Sequence, residues 1–185
     1  MADGDGAATY NTFLGFRTGK AVTTGDSNTV VGALAGDAMT DNSWNVVIGY
    51  NAFTTANSGE SSNIVIGGAA GESIDHANSD HNIIIGDGAG QGGAAAMISC
   101  VAIGSASMNS TGGNAQTGTI AIGQDSLTAL TSGAGNTAIG YQSLDANVTG
   151  QYNVAIGYQA MTTETDADKC IAIGYQALYT QNYSS

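Results

Sequence analysis

Short apolar runs punctuated by glycine recur along this chain. Each run is three residues long, opens after a polar residue and lies between segments rich in turn formers. The first reads Asn11-Thr-Phe-Leu-Gly and closes at Gly15. Variants close at Gly32, Gly49, Gly67, Gly86, Gly104, Gly123, Gly140, Gly157 and Gly174. The ten copies are spaced 17, 17, 18, 19, 18, 19, 17, 17 and 17 residues apart. Runs of three β-branched residues between turn signals predict strands. Small residues three positions past each glycine, such as Ala52, Ala70, Ser126 and Ser143, start a second short run, which predicts a second strand per repeat.

A unit this short cannot bury its own core, so neighbouring units must stack and share one. Two strands and two turns per repeat, stacked ten times, predict an all-β fold: a parallel β-solenoid of about ten coils of 17–19 residues. At about 4.8 Å per coil the rod is expected to be on the order of 45–50 Å long. Residues 1–10 form an N-terminal segment and 11–185 a single repeat domain, with no room for a second one.

Alternation along each strand separates two faces. The residue before each glycine is aliphatic throughout, from Leu14 to Ile173, and the residue two before it is Thr, Val or Ile. These two columns are expected to face the solenoid interior. The residue between them then points outward: Phe13, Val30, Val47, Val65, Ile84, Ala102, Ala121, Ala138, Ala155 and Ala172. Soluble monomers rarely leave so long an apolar stripe uncovered, so this column is expected to meet other copies of the chain. Its change from bulky residues to Ala predicts an assembly thicker at its N-terminal half.

Asn opens seven phrases, at 11, 28, 45, 63, 82, 136 and 153. Its amide bonds turn backbone and stacks on its copy in the next coil. Glycine at the corner suits a backbone where a Cβ would clash. Tyr141, Tyr158 and Tyr175, with Gln142, Gln159 and Gln176, predict aromatic and amide ladders.

Composition removes several functions. Lys and Arg number 3 against 15 Asp and Glu, a formal net charge of −12. Three cations cannot form the basic stripe that nucleic acid requires, and anionic membrane surfaces are disfavoured for the same reason. The apolar stretch from Gly93 to Gly104 is too short to span a bilayer, so no membrane insertion is expected. A hydrophobic content of 42% argues against a disordered chain.

The phrase Asn-x-Val/Thr-Ala-Ile-Gly-x-x-Ser/Ala resembles the head repeat of YadA-type trimeric autotransporter adhesins, and Asn153-Val-Ala-Ile-Gly-Tyr-Gln-Ala is a close instance. The longer Asn136-Thr-Ala-Ile-Gly-Tyr-Gln-Ser-Leu form is also similar to repeats in bacteriophage tail-fibre and virion proteins. The resemblance implies a left-handed β-roll, three chains side by side as a homotrimer, and presentation on a fibre that binds host surfaces. These coils are longer than the compact ones of the adhesins. Read as a whole product, the chain shows no export leader, heptad stalk or membrane anchor. That favours a structural or adhesive fibre or decoration protein of a phage virion, with other virion components at its ends and a host-surface glycan or protein as receptor. The alternative is the head of an adhesin on a bacterial cell surface.

Groupings with chemical potential are sparse. Cys100 and Cys170 share a repeat position but lie four coils apart, about 19 Å, beyond disulfide reach. His76 and His81 sit with Asp75 and Asp80 in one loop, a pattern open to a transition metal or to a polar turn. Glu164, Asp166 and Asp168 alternate without the glycine of a calcium loop. Gly86-Asp-Gly-Ala-Gly-Gln-Gly-Gly lacks the lysine and helix of a phosphate loop and reads as a corner. Thr23-Thr24, Thr54-Thr55 and Thr162-Thr163 fall at different repeat offsets, which disfavours a flat ice-binding array. No spread of base, nucleophile and orienter is present, so no enzyme activity and no cofactor or metal are expected. Receptor contacts would use the longer middle coils, at Thr54–Ser62, Gly71–His81, Gly90–Ser99 and Asn109–Gly118.

Overall fold

In a computed structural model that describes residues 8–93, 95–110, 112 and 115–179, the chain winds into a parallel β-solenoid without helices among those residues. Twelve short strands are formed among the described residues. They are Thr12–Leu14 (β1), Thr29–Val31 (β2), Val46–Ile48 (β3), Ile64–Ile66 (β4), Ile83–Ile85 (β5) and Met97–Ile98 (β6). Val101–Ile103 (β7), Gln116–Thr117 (β8), Ile120–Ile122 (β9), Thr137–Ile139 (β10), Val154–Ile156 (β11) and Ile171–Ile173 (β12) follow. Ten of them, one per repeat, make a single parallel sheet in the order β1-β2-β3-β4-β5-β7-β9-β10-β11-β12. Register is kept throughout, so that Phe13 pairs with Val30 and Ala155 with Ala172.

The ladder uses one rule in every coil. The residue three before the anchor glycine donates its N–H to the following coil, as Thr12 does to Asn28 O (2.8 Å) and Val154 to Cys170 O (2.8 Å). The anchor glycine donates to the preceding coil, as Gly32 does to Leu14 O (2.9 Å) and Gly174 to Ile156 O (2.8 Å). The ten anchor glycines have φ between 130° and 145°, a region essentially closed to L side chains. From Gly15 to Gly157, a Cβ would also stand only 2.2–2.6 Å from the carbonyl oxygen of the next anchor glycine. Both demands forbid any other residue.

The expected second strand after each glycine does not form. Residues two and four past the glycine are left-handed in every coil, for example Asn51 (φ 55°) and Phe53 (φ 56°), or Gln142 (φ 50°) and Leu144 (φ 51°). Alternating hands turn the chain through a corner instead of extending it. Among the described residues second strands appear only as the pair β6 and β8, which precede their phrases.

Burial reverses the expected faces. The middle residues Val30, Val47, Val65, Ile84, Ala102, Ala121, Ala138 and Ala155 are fully buried, Ala172 almost so, and Phe13 packs against the same core. Asn28, Asn45, Asn63, Asn82, Asn136 and Asn153 are buried on the same side. Asn and the middle residue are two apart, so one alternation puts both inside. The two aliphatic columns flanking the middle residue face out.

The bulky-to-Ala switch has an internal cause as well. The residue four past the anchor glycine shares the core with the middle residue. It is Gly19, Gly36, Gly71 or Gly90 beside Phe13, Val30, Val65 or Ile84. It is Met108, Leu127, Leu144, Met161 or Leu178 where the middle residue is Ala. Each coil thus fills one cross-section with one large and one small side chain, and the switch carries no information about the spacing of chains in an assembly. Phe53, beside Val47, is the exception. Its ring reaches toward the next coil, where a Cβ on Gly71 would stand 3.3 Å from it.

Candidate functional site

The most extensive organised surface is the outer face of the ten-stranded sheet. Two columns of side chains stand on it. One runs Thr12, Thr29, Val46, Ile64, Ile83, Val101, Ile120, Thr137, Val154 and Ile171. The other runs Leu14, Val31, Ile48, Ile66, Ile85, Ile103, Ile122, Ile139, Ile156 and Ile173. Seventeen of the twenty are Val, Ile or Leu, and each is exposed or only half-buried in the single chain. Charge is absent from the face. A parallel sheet is ordinarily covered on both sides; here one side packs on the core and the other meets no part of the described chain.

The ten residues expected to join chains are therefore placed inside each chain, and their outward-pointing neighbours take over that surface. One sequence signal that identifies the faces is the reciprocal size of the middle residue and the residue six positions later, because only two groups sharing one space need trade volume.

Side-chain ladders rigidify the margins. Asn28 donates from its N–H (2.8 Å) and its Nδ2 (3.0 Å) to Asn11 Oδ1, and its Nδ2 also donates to Asn42 O (2.8 Å). The pattern repeats to Asn82, whose Oδ1 accepts the Cys100 N–H (2.9 Å). It resumes at Asn136 and ends on the Cys170 N–H, accepted by Asn153 Oδ1 at 2.9 Å. Beyond the glycines, the rings of Tyr141, Tyr158 and Tyr175 stack at 5.3 Å. The amides of Gln142, Gln159 and Gln176 form a hydrogen-bonded file (2.8 and 3.0 Å). Stacked rings cover each other's faces and leave edges and hydroxyls to solvent.

The other candidate groups are held by the architecture. Cys100 is buried and Cys170 half-buried, both as free thiols, and burial pushes the Cys100 thiol pKa up. In the histidine loop, Asp75 accepts from Asn57 and Asp80 from the Ser61 N–H (2.7 Å), while His76 Nδ1 accepts the Asn78 N–H (3.2 Å). Asp168 accepts the Gln151 N–H (2.7 Å) in the same inter-coil manner. No group of three or more His, Cys, Asp or Glu suited to a metal ion occurs among the described residues. The glycines of 86–93 form a corner, where a Cβ on Gly90 would touch Ile84. Of the four longer loops, positions 94, 111, 113 and 114 lie outside the described residues. No helix among the described residues is long and apolar enough to cross a membrane.

Compared with protein-family models, curated proteins and solved structures, the chain matches none.

Proposed function

We propose that this chain is a structural and adhesive module of a fibre or decoration protein on a bacteriophage virion, working as a homotrimer without catalysis. The observation that carries the reading is the uncharged aliphatic face presented by ten in-register strands. An apolar surface of this length is characteristic of a contact site between protein chains. Three copies brought together by these faces would bury six aliphatic columns around one axis. The resemblance of the repeat phrase to adhesin heads and virion fibres supports the threefold arrangement and the left-handed winding. Function is then mechanical: backbone and amide ladders make each coil stiff, and trimerisation triplicates any weak receptor loop, raising avidity without new contacts.

The test is native mass by light scattering, for the chain as it is and with Ile66 and Ile103 replaced by Glu. At the dilute limit the expected species is three times 18.3 kDa for the parent and a single chain for the double variant. A parent that remains monomeric, or a double variant that remains trimeric, overturns the reading.

A further inference from the structure

We propose that the solenoid also associates head to tail, the β12 end of one copy receiving the β1 end of a second copy as its next coil. Among the described residues both ends of the sheet are open: β1 and β12 each have one neighbour. The ladder rule leaves the Ile171 N–H pointing onward from the last strand, and the Gly15 N–H pointing back from the first. In a stacked pair Ile171 donates to Asn11 O of the second copy, whose Gly15 donates to Ile173 O. Each bond repeats one already made at every step within the chain.

Side chains at the two ends match column by column. Gln176 donates to Gln159 (3.0 Å), so its Oε1 stands at the open end of the amide file as an acceptor. The residue at that repeat position in the first coil is Arg17, which can only donate; its Nη2 is paired with Asp37 Oδ2 of the next coil (2.9 Å), one contact of a group with five N–H donors. Tyr175 ends the aromatic stack with its outer face open, and its counterpart is Phe16; both are largely exposed, at 73% and 72%. Inside, Ala172 with Leu178 would meet Phe13 with Gly19. The same two kinds of coil already meet once within the chain, in the opposite order, where Ile84 with Gly90 is followed by Ala102 with Met108. The tenth anchor glycine completes the match. At the other nine a Cβ would strike the next coil's carbonyl, whereas at Gly174 the nearest atom among the described residues is 4.0 Å away, leaving that space for Gly15 of the second copy.

Such a contact joins two different surfaces and does not close on itself, so it propagates into a filament. It is independent of the side-by-side trimer: the two use perpendicular surfaces, and either can exist alone.

The experiment is light scattering over a concentration series with negative-stain imaging of the full chain. Three variants are compared: Ile171→Pro, Arg17→Glu and Arg17→Gln. Proline at Ile171 removes the onward-pointing N–H, the device by which natural edges are blunted, and with it one outward side chain at the very end of the aliphatic column. Mass is expected to rise without plateau in the parent, with filaments of axial repeat about 48 Å from ten coils. Ile171→Pro is expected to hold the mass constant over the series while keeping the parent's circular dichroism. Arg17→Glu, which replaces the donor by an acceptor, is expected to raise the concentration for association at least tenfold. Arg17→Gln, which continues the amide file, is expected to leave it within threefold. A parent of constant mass, or Ile171→Pro chains that associate like the parent, overturn the proposal. Constant mass at three chains would retire head-to-tail growth and leave the trimer standing, and filaments one chain wide would do the reverse.

Discussion

Ile84 and Gly90 share one slot in the core. A Cβ built on Gly90 would stand 3.1 Å from Ile84 Cγ2, closer than neighbouring carbons normally approach. One coil later the same slot holds Ala102 and Met108, both fully buried. Gly90 has φ 48° and Met108 also φ 48°, so the backbone accepts a side chain there once space is made. Ile84→Ala is expected to cost about 2–5 kcal/mol as a cavity and Gly90→Met about 1–3 kcal/mol by overpacking. The double variant reproduces the later coil and is expected to lose markedly less than the sum of the two. Urea denaturation of the four proteins measures the coupling; strict additivity would show that the two sites do not exchange volume.

Inside and outside can be separated by one residue. Ala102 is fully buried and its neighbour Ile103 faces out. Ala102→Glu places an unpaired carboxylate in the core and is expected to abolish the folded state, since such burial costs several kcal/mol. Ile103→Glu is expected to keep the parent's far-ultraviolet circular dichroism while weakening assembly. Equal loss of structure in both variants would refute the assignment of faces.

The repeat, its period, the parallel stacking and the ladders of Asn, Tyr and Gln were all legible in the sequence, because each depends on identities recurring at one position. Asn28, for instance, bonds Asn11 and Asn45 in the manner its repetition implies. The facing of the strands was not legible from apolarity, since every position of a run such as Ile83-Ile84-Ile85 is equally hydrophobic. Parity had to be set by a residue that can lie on only one side. The buried Asn supplies it, as an amide whose hydrogen bonds are all made within the coil stack. The corner after each glycine has the look of a strand in sequence because left-handed φ at Gln142 or Leu144 has no compositional mark; tertiary stacking imposes it against local preference.

That imposition is measurable. Ala106 holds φ 55°, a conformation costing an L residue roughly 1–2 kcal/mol. Ala106→Gly removes this cost, partly offset by the entropy glycine loses on folding. A net stabilisation of about 0.5–1 kcal/mol is expected in denaturant titration. Two positions earlier, Gly104→Ala would put a Cβ 2.6 Å from the Gly123 carbonyl and is expected to prevent folding. A destabilised Ala106→Gly would show that the corner is unstrained.

Glu60 should make stability fall as pH rises. It is fully buried; its Oε2 accepts Asn42 Nδ2 at 2.6 Å, and its Oε1 has no partner among the described residues. Burial raises its pKa above the ordinary value of 4.5; the Asp75 carboxylate adds to the rise, and hydrogen bonds from Asn42 and from backbone oppose it without cancelling it. The folded state therefore holds this proton more tightly than the unfolded chain does. Sign follows by linkage: the stabilisation is fully present below the unfolded pKa, is lost as pH climbs to the raised folded pKa, and is constant above it. Each unit of elevation costs about 1.4 kcal/mol at the alkaline end of that window. Glu60→Gln keeps an acceptor for Asn42 and removes the titration. It is expected to be more stable than the parent at neutral pH, to converge with it toward pH 4, and to flatten the profile between. Parallel stability–pH profiles for the two proteins would mean that Glu60 ionises in the fold without penalty.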